Sequence, residues 1–595
     1  MNGPQRTRLH NPDADALMIG GIILAASIVG GSAWGAAELA HLEEQTAAPD
    51  RNPVTWAEAL VKGTWHWPMA ATWWAVGEGA VVLALALAIA LPVMRWQARR
   101  VYVDSRARLL GRDRPSLRRY VDPKAAPVAG EHGAGLQVGR DVLSGRMVRA
   151  TWEDTIVVIA GARMGKTTSM AVPQVLDAPG VVYCTSNKRD LYDSTARARH
   201  KRAEVWLFDP QGIAGTEKPP FWWDPLDSCR TIASARRIAD VFASASRPPN
   251  ASRDAYFDPA GEELLATYLL AAASGGEPVT AVHSWLANPR DETPVRHLHS
   301  GGHDELADAA EATMHLPDRQ LAGVVGTAAK VVAWMADPRL RAWVVGPKDG
   351  RPRLDVPTLL RARHGALYSL SKEGEGSAGA LTGALTTTLL TEAERIAASS
   401  PGGRLPVPLV AALDEVANVC RWRDLPDRYS HYGSRGIICA CYLQSWSQGA
   451  DCWGREGMRK LWGAANIRVY GGGTHEAEFL EDVSRICGEW DAPATSLSTA
   501  RGGAGTGGRT YTASTKRERV LDVSTLGALP ASRAVVMLSG TYPLVVRKVA
   551  WHQDKAHREA MAETGTAPPP VLPPAIDVDQ AAEPAGNTTV PVEAP

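Results

Sequence analysis

From Thr155 onward, short apolar and β-branched runs recur along the chain, and most are separated by stretches of helical periodicity. Thr155-Ile156-Val157-Val158-Ile159, Val181-Val182-Tyr183-Cys184, Glu204-Val205-Trp206-Leu207-Phe208, Ala366-Leu367-Tyr368-Ser369-Leu370, Leu409-Val410-Ala411-Ala412-Leu413, Ile437-Ile438-Cys439-Ala440-Cys441 and Val535-Val536-Met537-Leu538 each read as a buried strand. Strands alternating with helices predict an α/β fold with a mostly parallel sheet, its ligand at the carboxyl ends of the strands. Shorter strands are expected near Leu136 to Thr151, after an arginine-rich linker that contains Pro115, Pro123 and Pro127. Between about Ile232 and Leu360 the period changes. Leu264, Leu265, Tyr268, Leu269 and Ala272 fall at helical spacing, and Asp318, just after Pro317, is placed to cap a helix carrying Leu321, Val324, Val325, Ala328 and Val332. This segment reads as an all-helical insertion. Thr495 to Thr515, rich in Gly, Ser and Thr, reads as a flexible loop. Its run Gly503, Gly505, Gly507 opens no helix after a strand, which argues against a dinucleotide site. The proline-rich tail after Arg558 has no Lys or Arg and reads as disordered.

Two stretches near the amino end are long and apolar. Ala16 to Ala37 is uncharged and as a helix would span roughly 33 Å. Trp73 to Met94 carries only Glu78, with Trp65, Trp67, Trp73, Trp74 and Trp96 crowding its ends as interfacial indoles do. Arg6 and Arg8 precede the first stretch, and Arg95, Arg99, Arg100, Arg106 and Arg108 follow the second. The intervening loop has only Arg51 and Lys62 as cations. Positive-inside logic therefore predicts a multi-pass protein of the cytoplasmic (inner) membrane, with both termini and the soluble part in the cytoplasm.

Length and composition add limits. At 595 residues and 45% hydrophobic content the chain supports several domains with large cores. A net charge of zero confines any nucleic-acid contact to a local patch and neither supports nor excludes DNA. The seven cysteines show no metal-type CxxC pairing and read as buried small hydrophobes.

The chemistry begins after the first predicted strand. Ala160, Gly161, Ala162, Arg163, Met164, Gly165, Lys166, Thr167 and Thr168 form a phosphate-binding loop, with Ala160 where the first glycine is usual. Gly165 lets the backbone curl, Lys166 neutralises the β and γ phosphates, and Thr167 presents a hydroxyl to Mg²⁺. Strand, loop and helix follow in the order that ATP binding requires. The run Leu409 to Leu413 then ends in Asp414 and Glu415, Asp414 to hold Mg²⁺ through water and Glu415 to orient and polarise the attacking water. The next strand ends at Gln444, whose amide is placed to sense the γ phosphate. Arg435 and Arg468 are candidates for a charge-stabilising finger contributed across a subunit boundary. Nucleophile-elbow, zinc-type and kinase signatures are missing from the sequence, so ATP hydrolysis is the chemistry indicated.

Across roughly residues 130 to 560 these features resemble the coupling proteins of conjugative type IV secretion. The resemblance lies in the Ala160 to Lys166 loop, in Ser186-Asn187-Lys188-Arg189-Asp190-Leu191-Tyr192 with Thr195 and Arg197, and in Leu207-Phe208-Asp209-Pro210. It continues in Asp224-Pro225-Leu226, Leu413-Asp414-Glu415-Val416-Ala417-Asn418, Arg435-Gly436, and Gln444-Ser445 with Gln448. Asn187 departs from the acidic residue many relatives carry there, and Met164 from the usual serine. The resemblance implies a RecA-like P-loop NTPase with an all-helical insertion and a two-helix transmembrane anchor. It further implies a homo-hexamer with an ATP site at each boundary, a central pore for single-stranded DNA, and delivery of a relaxase or relaxosome substrate to type IV secretion channel components. The expected map is a membrane anchor at 1–100 (spans about 16–37 and 73–94), a linker with short strands at 101–150, nucleotide-binding segments at 151–231 and 361–560, the helical insertion at 232–360, and a tail at 561–595. Two other readings compete. One is a septal double-stranded DNA translocase, and the other is a substrate receptor in which ATP mainly drives assembly.

Overall fold

The structure, a computed structural model, describes residues 33–42, 48–50, 52–74, 76, 102–110, 117–121, 132–247, 253–347, 350–362, 364–373, 378–499 and 509–562. It divides into two units, Met1–Val101 and Tyr102–Pro595.

In the larger unit the strands are β1 (Leu136–Asp141), β2 (Met147–Ala150), β3 (Ile156–Ile159), β4 (Val182–Ser186), β5 (Val205–Phe208), β6 (Ala366–Leu370), β7 (Leu409–Asp414), β8 (Ile437–Leu443), β9 (Ile467–Tyr470), β10 (Glu489–Thr499), β11 (Arg509–Arg519), β12 (Arg533–Leu538) and β13 (Leu544–Arg547). Eleven of them form one sheet in the order β2-β1-β13-β12-β9-β3-β8-β7-β4-β6-β5. From β9 to β5 every pairing is parallel. At the other side β12 pairs antiparallel with β9, and β13, β1 and β2 continue antiparallel. The parallel strands β3, β4, β7 and β8 are buried along their whole length. This follows from the pleat: Val157, Ile159, Ala411, Leu413, Cys439 and Cys441 enter the core on one face, while Ile156, Val158, Val410, Ala412, Ile438 and Ala440 enter the core on the other. Continuous apolar strands are what a sheet covered on both faces requires.

Between β5 and β6 the chain is helical, beginning with Ile232–Ser246, whose Thr231 and Ser234 form a capping box, and with the long helix Phe257–Gly275. Leu264, Leu265, Tyr268 and Leu269 are buried there in the same hydrophobic cluster as one face of the sheet. Asp318 does not cap its helix. It is the first residue of Asp318–Val331, one position too late to reach back, and it pairs with Arg290 at 2.9 Å in solvent. The glycine- and threonine-rich segment also differs from expectation. β10 and β11 form an antiparallel ribbon registered from Glu489↔Arg519 to Thr499↔Arg509, and residues 500–508 lie outside the described residues. β-Branched threonines suit a pleated ribbon as well as they suit a loop.

The expected multi-pass membrane placement is corrected. Among the described residues no helix is long and apolar enough to cross a membrane. In the smaller unit the described helices are 33–42, Pro53–Val61 and 69–74, far short of the roughly 20 residues a span needs. Most of Ala16 to Ala37 and of Trp73 to Met94 lies outside the described residues. The indoles read as interfacial in part pack on one another: Trp65 lies 5.6 Å from Trp56 and 6.5 Å from Trp67, centroid to centroid. The expected tail from residue 563 lies outside the described residues as well, after a last helix Lys555–Ala562.

One buried cation ties the amino ends of β4 and β6 together. Arg199 is 1% exposed. It donates to the carbonyls of Ala178 and His364, both at 2.9 Å, and to that of Gly180. Burial pulls its guanidinium down to about 10. Arg199→Leu would leave the Gly180 and His364 carbonyls without this donor and Ala178 O with only Arg202 at 3.4 Å, and urea unfolding should show a loss of about 3 kcal/mol. A variant as stable as the parent would mean that water replaces the guanidinium.

Candidate functional site

The parallel arrangement brings the carboxyl ends of β3, β7, β8, β9 and β13 to one edge of the sheet, and the sequence-predicted loop leaves β3 there. Ala160 N–H donates to Leu443 O (3.1 Å) and Gly161 N–H to Gly472 O (2.9 Å), while Gly471 N–H donates back to Ile159 O (2.8 Å). The loop is thus clamped between the ends of β8 and β9. Arg163, exposed at its turn, and Gly165 adopt positive φ of 59° and 78°. Lys166 precedes a π-helical turn, Thr167–Ala171, which runs into the helix Val172–Asp177.

Ala160 and Met164, the two departures from the usual loop, both rest on the glycine turn after β9. A Cβ on Gly471 would come within 2.6 Å of Ala160 Cβ, and one on Gly473 within 2.5 Å of Met164 Cγ. The methyl that replaces the usual glycine hydrogen is therefore housed by a glycine in the neighbouring turn. Gly161 packs against the same turn, where a Cβ would meet Gly473 O at 2.1 Å.

Asp414 ends β7 and Glu415 follows it in the left-handed region, with φ 53° and ψ 38°. That conformation is uncommon for a residue with a Cβ and marks a position held by its surroundings. Lys166 Nζ lies 3.3 Å from Glu415 Oε1, both side chains 8% exposed. Gln444 Nε2 donates to the same oxygen at 2.9 Å, and Gln448 Nε2 donates to Glu415 Oε2 at 3.3 Å. Asp414 is buried, and its Oδ1 has no hydrogen-bond partner among the described residues. Burial first, and then the charge of Glu415, push its carboxyl up to about 7, with Lys166 acting in the opposite direction. An orphaned carboxylate oxygen beside a phosphate loop whose Thr167 hydroxyl is half-buried suits a hard divalent cation. Among the described residues no group of three or more His, Cys, Asp or Glu is gathered as a metal cage, so such a cation would draw on water and phosphate oxygens, as Mg²⁺ does.

Lys166, Asp414, Glu415 and Gln444 are thus brought together. Arg435 and Arg468 are not. Arg435 precedes β8 at the opposite sheet edge and bonds to Glu394 O at 3.4 Å. Arg468 lies within β9, in register with Val157, half-buried with its Nε unpartnered, and burial lowers its proton affinity.

Four residues that the sequence reading did not place in the site belong to it. Gln448 holds Glu415 and also accepts from Gln444 N–H at 2.8 Å. Ser445 caps the helix Trp446–Ala464, and Glu476 accepts from its first amides, Trp446 N–H at 2.7 Å and Ser447 N–H at 2.8 Å. Lys548, just after β13, reaches the phosphate loop from behind. Spacing alone could have raised Gln448, one helical turn beyond Gln444. Glu476 and Lys548 depend on strand order, which no local pattern shows.

Comparison with known proteins places this architecture. Residues 124–347 match the family model "Type IV secretory system Conjugative DNA transfer", and residues 408–531 match "TraM recognition site of TraD and TraG". Among solved structures, the unbound monoclinic form of the bacterial conjugative coupling protein TrwBdeltaN70 is 17% identical, with TM-score 0.51, covering 70% of this chain and 88% of that one. Its trigonal form in complex with sulphate is 17% identical, with TM-score 0.50, covering 69% and 89%. The plasmid coupling protein TrwB in complex with ADP and Mg²⁺ is 16% identical, with TM-score 0.50, covering 70% and 90%. At these identities the likeness is one of fold. No curated protein matches the chain.

The contact between Ala160 and Gly471 makes a separable prediction. Gly471→Ala alone should destabilise the protein by about 2 kcal/mol through overpacking. In combination with Ala160→Gly, at least half of that loss should return in denaturant unfolding. Strictly additive costs would mean that the two residues do not share the space.

Proposed function

The chain belongs to the type IV conjugative coupling protein family, and from that premise we propose that it is an ATPase. In this reading it recruits a relaxase-bound DNA substrate and drives its transfer through a conjugative type IV secretion channel. The observation that carries the proposal is the convergence on Glu415 of Lys166, Gln444 and Gln448, beside the orphaned Asp414 oxygen, at the mouth of a phosphate loop.

Each residue has a task in this reading. The amides of Ala162 to Thr168 cradle the polyphosphate, those of Ala160 and Gly161 being taken by Leu443 and Gly472, and Lys166 neutralises it. Thr167 and Asp414 would hold Mg²⁺, which would supply charge neutralisation for the polyphosphate. Glu415 orients and polarises the attacking water, and the amides of Gln444 and Gln448 keep its carboxylate aimed. In the structure Lys166 rests on Glu415. A polyphosphate carries several negative charges against one, so it draws Lys166 away and frees Glu415 for water. Arg435 or Arg468 would serve a neighbouring subunit, in a ring of six around a pore for single-stranded DNA. The helices between β5 and β6 would meet the relaxosome.

The test is the ATPase rate with and without single-stranded or duplex DNA, for the parent, Lys166→Ala and Glu415→Gln. The parent should be stimulated by DNA. Lys166→Ala should lose nucleotide affinity, and Glu415→Gln should keep affinity while turnover falls by about 10² to 10⁴. Turnover unchanged in Glu415→Gln would remove the assigned base. ATP binding without any DNA response in the assembled ring would favour a receptor that uses ATP to assemble.

A further inference from the structure

A buried lysine behind the phosphate loop has no role in the reaction as described. Lys548 is 7% exposed, and its Nζ donates to Met164 O at 2.6 Å and to Gly471 O at 2.8 Å. Among the described residues no acidic side chain pairs with it. Burial, with no charged neighbour from the loop, the glycine turn or β12 contributing, pulls its ammonium down to about 7. Burying an ammonium with only carbonyls for company is costly unless something else compensates.

Peptide geometry shows what that compensation does. In a trans peptide the carbonyl of one residue and the amide of the next point in opposite directions. Lys548 draws the Met164 carbonyl away from the loop mouth, so the Gly165 N–H is turned toward it. That amide donates no hydrogen bond among the described residues. The Gly471 carbonyl, on the same ammonium, belongs to the turn that receives Ala160 and Met164. One cation thus fastens two segments whose own side chains are too small or too apolar to fasten each other.

We propose that Lys548 is a positioning residue for nucleotide binding: it fixes the Met164–Gly165 peptide so that its amide faces the phosphates, and it sets a positive charge beneath them. This rests on the ATPase reading of the site. Phosphate above the loop stabilises the protonated amine, so binding takes up a proton once the free amine has lost its own, above about pH 7. Affinity therefore weakens as pH rises through that range.

The experiment uses the full chain, with fluorescent ADP titrated into the parent, Lys548→Met and Lys166→Ala. Lys548→Met should weaken binding about tenfold and flatten the fall in affinity above about pH 7. Parent affinity in Lys548→Met, where Lys166→Ala has lost it, would overturn the proposal. Parent affinity in both variants would overturn the phosphate-loop reading itself. Calorimetry of the parent at about pH 8 in two buffers of different ionisation enthalpy needs no variant. There the nucleotide phosphates are already fully ionised, so proton uptake on binding is expected, and none would overturn the proposal.

Discussion

A phosphate loop must keep the amides at its mouth free for an anion, so the amides at its root and the other polar groups around it have to be satisfied from outside. Here that constraint is met by placing β3 between two parallel neighbours. Leu443 at the end of β8 takes the Ala160 amide, Gly472 after β9 takes the Gly161 amide, and Ile159 receives Gly471 in return. Such close approach of three backbones leaves no room for side chains, which is why the turn after β9 is glycine at three successive positions and why two of them adopt φ near +80°. The rest of the site is built on this clamp. The same turn continues through Thr474 to Glu476, which fixes the amino end of the helix bearing Gln448.

The parts of this arrangement that were legible in the sequence are those a single segment encodes. β3, β4, β5, β6, β7, β8 and β12 announce themselves because strands buried on both faces must be apolar throughout, and Lys166, Asp414, Glu415 and Gln444 are found at or just beyond their ends. β9 is short and interrupted by Arg468, so its pattern is weak. β13, four residues long after Pro543, is weaker still. Yet these two strands deliver Gly471 and Lys548. Their contribution arises from the sheet order, β13-β12-β9-β3, which joins residues nearly 400 positions apart in sequence. Long-range strand order leaves no mark in local periodicity.

The departures from the usual loop pattern are explained by the same sheet order. Ala160 adds a methyl where a hydrogen is usual, and Met164 adds a long thioether. Both project onto the glycine turn, where the missing side chains make room for them. Loop and turn read separately look like one degenerate motif and one flexible linker. Read together they are a single packed unit, and a change in either is constrained by the other.

The acidic pair shows how neighbouring residues of like charge acquire different surroundings. Asp414 ends a buried strand and meets little but the protein interior, so its carboxyl is held up to about 7 and one oxygen is unpartnered. Glu415 turns into the left-handed region, which swings its side chain out of the strand line and onto a lysine and two amides. The first environment leaves one oxygen without a donor among the described residues, and the second is furnished with donors. In the proposed reading, a polyphosphate with Mg²⁺ would engage the first and compete for the lysine of the second, while the two neutral glutamine amides would remain available to Glu415. In the proposed ATPase reading, the backbone reversal between Asp414 and Glu415 is therefore what would separate a cation-holding acid from a water-orienting one, and the strain of that reversal is the local cost of keeping them adjacent.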